Sequence, residues 1–195
     1  MNTSFKKPTL LLLLSIAVSM GASSQTVYHS GTSDIRLNGT SNVHDWEMKA
    51  AKGTSEATFV VNANGQVTGL TSLKFSLPAA DLKSGHSGMD KNTYKALNTE
   101  KNPTISFVLT SSTITATGGN NYQLKCVGKM SIAGTVKHTD LVATGKYNPA
   151  DKSFTVTGVK KMKMTDYNVS PPKALMGTIK TGDAISISYN LKFTK

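Results

Sequence analysis

Apolar and polar residues alternate along most of the chain after residue 33. Ile35 and Leu37 alternate with Asp34 and Arg36, and Leu73, Phe75 and Leu77 with Ser72, Lys74 and Ser76. Ile105, Phe107 and Leu109 alternate with polar Thr104 and Ser106. Tyr122, Leu124, Cys126, Met130 and Ile132 share one face, opposite Gln123, Lys125, Lys129 and Ser131. Ile185, Ile187, Tyr189, Leu191 and Phe193 do the same near the C-terminus. A period of two puts successive side chains on opposite faces of a strand, so each run predicts a strand with one buried face. Turn signals separate the runs at Asn64-Gly65, Gly118-Gly119-Asn120, Asn148-Pro149 and Thr181-Gly182-Asp183. The connections are mostly short, which predicts antiparallel neighbours rather than βαβ units. The chain contains no repeat and no linker that would divide it.

Two segments break the alternation. In "SGHSGMDKNTYKALNTEKNP" Asp90 reads as an N-cap, Lys91 to Leu97 as a short helix and Asn98 as its stop. Met89, Tyr94 and Leu97 then fall roughly on one face, and Pro103 restarts the chain as a strand. In "TDYNVSPPKALMGTIKTGD" Pro171-Pro172 stiffens a connection in which Ala174, Leu175 and Met176 form an apolar patch.

Roughly eight strands, each with one apolar face, must hide those faces. A sandwich or a closed barrel does so. An eight-stranded barrel is just wide enough to be filled by its own side chains or to hold one small ligand. The apolar faces carry almost no ionisable groups, so a ligand held there is largely apolar. An outer-membrane barrel reverses this pattern, and the Lys-, Ser- and Thr-rich outward faces argue against one.

The N-terminus changes the picture of where the fold begins. Lys6 and Lys7 precede the apolar run Leu10 to Val18 and the small-residue stretch "SMGASSQ". This is the layout of a secretory signal peptide over residues 1–24, with Gln25 as the expected mature N-terminus and cleavage after Ala22 the alternative. The run is short for a bilayer span, and no cysteine follows it to carry a lipid anchor. The expected product is a periplasmic or secreted domain of residues 25–195. Its one cysteine, Cys126, excludes an internal disulfide.

The net charge of +11 adds a basic surface, which becomes +9 once Lys6 and Lys7 leave with the signal peptide. Arg36 is the only arginine. Nucleic-acid readers rely on arginine for bidentate contacts, so nucleic acid is not the expected partner. The basic surface reads either as plain solvated surface or as one that peripherally attracts the anionic lipid headgroups of a membrane surface or a pyrophosphate.

Candidate chemistry is sparse. The stretch Thr40 to Glu47, "TSNVHDWE", gathers a histidine, two carboxylates and the only tryptophan. His29, His86 and His138 are too scattered in sequence to join His44 as metal ligands. In an extended segment His44 and Trp46 share a face that Asp45 does not, which misplaces Asp45 for a catalytic pair. The stretch reads as a strand end that plugs or rims a barrel. Met162 and Met164 suit a ligand-pocket wall or an adaptable core better than a soft-metal site. Cys126 reads as a buried, inert thiol. Enzyme motifs are absent: there is no GxSxG, HExxH, P-loop or dinucleotide fingerprint, so no cofactor or metal and no enzyme is expected.

Four stretches resemble the YceI-like family of lipocalin-like, polyisoprenoid-binding bacterial proteins: "GTSNVHDWEMKA", "MDKNTYKALNTEKNPTISFVLTS", "KMSIAGTVKHTDLVATGKY" and "MKMTDYNVSPPKALMGTIKTGDAISISYNL". Pro103, Ile105 and Phe107 match its Lys/Glu-x-Pro-x-Ile-x-Phe motif. His138 stands where the family commonly has proline. The resemblance implies an all-β fold, an eight-stranded antiparallel lipocalin-like barrel with one short helix. It also implies an apolar tunnel for a long isoprenoid or other amphiphilic lipid. On that basis Phe107, Leu124, Ile132, Met162, Met164, Ile187 and Tyr189 are candidates for the tunnel lining. Trp46, Met89, Tyr94 and Leu97 are candidates for closing one end, and His44, Lys91 and Lys173 for the mouth. The expected function is that of a carrier or sequestering protein for an isoprenoid, isoprenoid quinone or fatty-acid derivative, as monomer or homodimer. The alternative is a barrel filled by its own side chains that acts through its surface, as an envelope stress or partner-binding protein.

Overall fold

The computed structural model describes residues 23–31 and 33–195. Nearly all of the expected signal peptide lies outside the described residues. The strands run in chain order: β1 (Ser24–Ser30), β2 (Ser33–Ser41), β3 (Trp46–Ala50), β4 (Thr54–Val61) and β5 (Val67–Pro78). Helix α1 (Ser87–Leu97) follows, then β6 (Thr104–Gly118), β7 (Asn121–Ile132), β8 (Thr135–Asn148), β9 (Ser153–Lys163), β10 (Lys173–Ala174) and β11 (Ile179–Phe193). They form one curled sheet in the order β1-β4-β5-β6-β7-β8-β9-β11-β2-β3, with the two-residue β10 paired to β11. All pairings are antiparallel.

This path has ten strands where the alternation predicts eight. The difference is local. β1 and β2 are two halves of one N-terminal ribbon separated by two residues, and β3 and β4 are halves of the ribbon beside it. β1 pairs β4 while β2 pairs both β3 and β11. Counted as ribbons, the wall has eight staves. The sheet closes on itself where the His29 and Thr194 backbones exchange hydrogen bonds of 2.8 and 2.9 Å.

Two sequence expectations need correction. Asp90 does not cap the helix. Helix α1 starts at Ser87 with His86 as N-cap, and Asp90 sits in its first turn, where Oδ1 accepts from Ser84 N and Oγ at 2.8 and 2.7 Å. The carboxylate holds the preceding loop instead of the helix N–H groups. Asn98 stops the helix as expected, in the left-handed conformation (φ 50°). The Thr181-Gly182-Asp183 signal is not a turn between strands but an irregularity inside β11, where its register against β2 shifts between Thr181 and Ile185. Asp183 uses that position to accept from Thr165 N and Oγ1 at 2.9 and 2.7 Å, tying β11 to the preceding connection.

Antiparallel order sorts the connections by barrel end. The β4–β5, β6–β7 and β8–β9 turns, with residues 62–66, 119–120 and 149–152, lie at one end. The other end carries the β2–β3 loop, the long β5–β6 connection with α1, the tight β7–β8 turn and the residue 164–178 connection. The core divides in the same way. One buried cluster is built around Tyr28, Phe59, Tyr122, Phe154 and Phe193, and a second around Ile35, Met48, Leu77, Leu97, Ile132 and Tyr167.

Candidate ligand-binding site

Inward side chains do not fill the barrel. A cavity of about 890 Å³ runs from the helix-bearing end to Phe59 and Phe193. It is near the top of the range usual for small-molecule pockets, roughly 300–1,000 Å³. It stops at an aromatic cluster. Phe59 packs against Phe154 (ring centroids 4.7 Å), Tyr28 (5.4 Å) and Phe193 (5.9 Å), and Tyr122 meets Phe154 at 5.6 Å. The barrel is therefore filled by its own side chains at one end and hollow at the other.

The wall is aliphatic, aromatic and sulfur-bearing. Phe107, Leu124, Ile132, Met162, Met164, Ile187 and Tyr189 all border the cavity, as do Trp46, Met89 and Leu97. The local reasons are visible in the register. Trp46 stands opposite Gly39 on β2, and its indole lies over that glycine, where a Cβ would collide with the ring. Indole Nε1 donates to the Thr40 carbonyl at 2.9 Å, so the ring is held with its polar edge satisfied. Tyr189 lies the same way over Gly158 on β9. Burial disfavours charge in this wall. It pushes the Cys126 thiol up to about 11, and burial followed by the influence of Cys126 raises the Tyr189 phenol to about 12. A thiol so raised stays protonated and unreactive near neutral pH.

His44, Lys91 and Lys173 border the cavity at the open end and are exposed. In "TSNVHDWE" Thr40 and Ser41 end β2, residues 42–45 form the hairpin loop, and Trp46 and Glu47 begin β3. Ser41 Oγ donates to the His44 carbonyl at 2.8 Å and accepts from His44 N at 3.1 Å. His44 Nδ1, as the protonated ring nitrogen, donates to the Asp45 backbone carbonyl at 2.7 Å, not to its carboxylate. Glu47 faces out and pairs with Lys49 at 3.2 Å. Among the described residues no group of three His, Cys, Asp or Glu is placed to hold a metal ion.

The YceI-like domain matches residues 20–193. The chain belongs to the YceI-like family. No curated protein matches it. Solved structures share the fold at low identity. Burkholderia cenocepacia BcnA superimposes with TM-score 0.62 at 20% identity, covering 82% of this chain and 95% of that one. A polyisoprenoid binding domain from Saccharophagus degradans, implicated in plant cell wall breakdown, gives 0.64 at 7%, covering 88% and 99%. A Campylobacter jejuni YceI protein gives 0.54 at 14%, covering 72% and 81%.

One candidate of this YceI-like domain departs from its expected place. Tyr94 does not border the cavity. Its hydroxyl lies 2.9 Å from the Ala80 and Leu82 carbonyls and accepts from Lys83 Nζ, whose ammonium also sits 4.9 Å from the ring centroid. Tyr94 thus ties α1 to residues 80–83 of the connection that follows β5. Because the helix begins earlier than expected, the face set by Met89 and Leu97 is completed by Thr93 and Ala96, which border the cavity instead. Sequence reasoning also missed the aromatic cluster. Tyr28, Phe59 and Phe154 sit in short alternating runs that give no sign they converge across the barrel.

Proposed function

We propose that this YceI-like protein is an exported lipid-binding protein that holds a long apolar tail in its hollow half, as a carrier or sequestering protein. The observation that carries this reading is the 890 Å³ cavity, open at one end, apolar along its wall and blocked at the far end by aromatic rings. Each buried CH₂ contributes about 0.8 kcal/mol, so a tail of many carbons is retained after association costs without a strong polar contact. The Saccharophagus domain, described as polyisoprenoid binding, supports an isoprenoid among the candidate tails. Isoprenoid quinones and fatty-acid derivatives satisfy the same wall. The reading is one of binding without turnover: His44 lies in an exposed loop, and its Nδ1 meets the Asp45 backbone carbonyl, so the Asp45 carboxylate does not orient the ring as a catalytic pair requires. Export rests on the basic-then-apolar N-terminal segment.

Exchange of such a cargo takes place at a membrane, and the rim suits one. Leu175 and Met176 are 72% and 108% exposed, and Val43 in the β2–β3 loop is 61% exposed. Asn42 fastens the two loops together, donating through Nδ2 to the Thr178 carbonyl at 2.9 Å. Lys173 and Lys180 flank these apolar tips, which matches an anionic lipid surface. Leu175→Asp with Met176→Asp is expected to abolish co-sedimentation with anionic vesicles.

The cargo is tested by organic extraction of protein purified from its native envelope, followed by mass spectrometry. A stoichiometric, chemically intact long-chain lipid is expected. An empty extract from folded protein would overturn the reading in favour of a protein acting through its surface.

A further inference from the structure

The barrel wall has a gap. β8 and β9 pair only from Ala143–Gly158 to Asn148–Ser153. Toward the open end, residues 135–142 and 159–163 continue as strands, held by β7 and β11, but not to each other. A strand edge without a partner leaves backbone donors and acceptors free. Side chains span the split instead. Lys160 Nζ donates to the Asp140 carbonyl at 2.8 Å and to Oδ1 at 3.3 Å, and Tyr167 Oη lies 3.3 Å from Thr139 Oγ1.

Lys160 is the exception on its face. The inward positions of β9 read Phe154, Val156, Gly158, Lys160, Met162. Its side chain is only 22% exposed, against 80% for Asp140. The other lysines bordering the main cavity, Lys91, Lys163 and Lys173, are exposed. A second, outer cavity of about 230 Å³ lies against the split and is lined by Lys137, His138, Thr139, Lys161 and Asp166. It shares Lys160, Met162 and Tyr167 with the main cavity. The two spaces therefore meet at the Lys160 ammonium, the Met162 thioether and the Tyr167 hydroxyl.

We propose that this split is a polar subsite in which Lys160 holds the anionic head, a phosphate or a carboxylate, of a lipid whose tail lies in the main cavity. The proposal rests on the tail-binding reading above. An ammonium has three donors, and Asp140 takes two. The competing carboxylate of Asp140 is largely exposed and can turn into solvent. Asp166 is engaged by Lys163 N at 2.8 Å. Lys137, Lys160 and Lys161 leave the window net positive over Asp140 and Asp166. A charge-assisted hydrogen bond formed away from bulk water separates an anionic head from a neutral one of equal tail length.

The test uses delipidated mature protein and two matched pairs: farnesyl monophosphate with farnesol, and palmitate with hexadecanol. Binding is read by Trp46 fluorescence. Wild type is expected to prefer at least one anionic member by about tenfold or more. Lys160→Met should bring that ratio near one, and Lys160→Arg should restore most of it. Preference confined to one pair identifies the head as phosphate or carboxylate. Equal binding of both members by wild type leaves the tail reading standing and overturns the window. A preference lost in Lys173→Met but kept in Lys160→Met moves the head to the mouth and also overturns it. Binding of no probe removes the tail reading and the window together.

Discussion

The two ends of this barrel are made from the same strands and behave as different materials. At the end bearing the short turns, five aromatic residues at 1 to 3% exposure stack into a plug. At the other end the same strands present Leu, Ile and Met to the cavity, under α1 and the 164–178 connection. Close packing supplies stability, and space supplies a binding site. Dividing them between two ends lets one protein have both without a compromise at either.

The comparison breaks most sharply at Phe59, which touches three other rings. Phe59→Ala leaves a void in a packed cluster and is expected to cost about 3–5 kcal/mol. Met162→Ala borders a space that already exists, so little new void forms and about 1 kcal/mol or less is expected. Urea unfolding of the ligand-free proteins checks both. Equal losses would mean that the hollow end is packed in solution and that the division between the ends is false.

Binding should respond in the opposite sense. Ile187→Trp places a large ring in the hollow half, where burial of its added apolar surface offsets any local strain. We expect stability within about 1 kcal/mol of wild type and a loss of lipid retention of about tenfold or more. Phe59→Ala lengthens the cavity and should retain lipid in whatever fraction stays folded. Lipid recovered at full stoichiometry from Ile187→Trp would show that the cargo lies elsewhere.

How much of this division could be read in the sequence follows from what alternation measures. A period of two reports which residues face inward, and Phe107, Leu124, Ile132, Ile187 and Tyr189 do. It does not report depth along the barrel. For this reason Phe154 and Met162, eight residues apart on the same face of β9, end in the plug and in the cavity wall with no difference in pattern. The interrupted ribbons were invisible for a similar reason, since Gly31 and Gly53 look like ordinary turn residues. Tyr94 was misplaced because the helix start was set at Asp90, a good cap by type that bonds Ser84 instead. Alternation with Met162 puts Lys160 on the inward face, but the split that explains an inward charge depends on where the β8–β9 ladder ends, which is a tertiary fact.

The smallest expected effect separates the ends by pH. In the β8–β9 turn at the plugged end, the Asp151 carboxylate accepts from Ser153 Oγ at 2.7 Å and from Lys192 Nζ at 3.0 Å. The Ser153 hydroxyl first, then Lys192, hold it well below the ordinary range, at about 2. A carboxylate whose folded pKa is depressed stabilises the fold above its unfolded value, near 4, and loses that contribution as pH falls through the folded value. Asp183 at the open end is also lowered, chiefly by the Thr165 hydroxyl. Both groups are at the surface, so solvent screens them and the shifts in Tm are small. Asp151→Asn should flatten the fall of Tm between about pH 4 and pH 2 while leaving lipid retention at pH 7 as in wild type. Asp183→Asn releases the link between β11 and the connection that roofs the cavity, so it should weaken retention at pH 7. If both variants changed Tm alone, the roof would be stable without its tie. If Asp151→Asn also released lipid, the two ends would be coupled, and the plug would be part of the binding site instead of its floor.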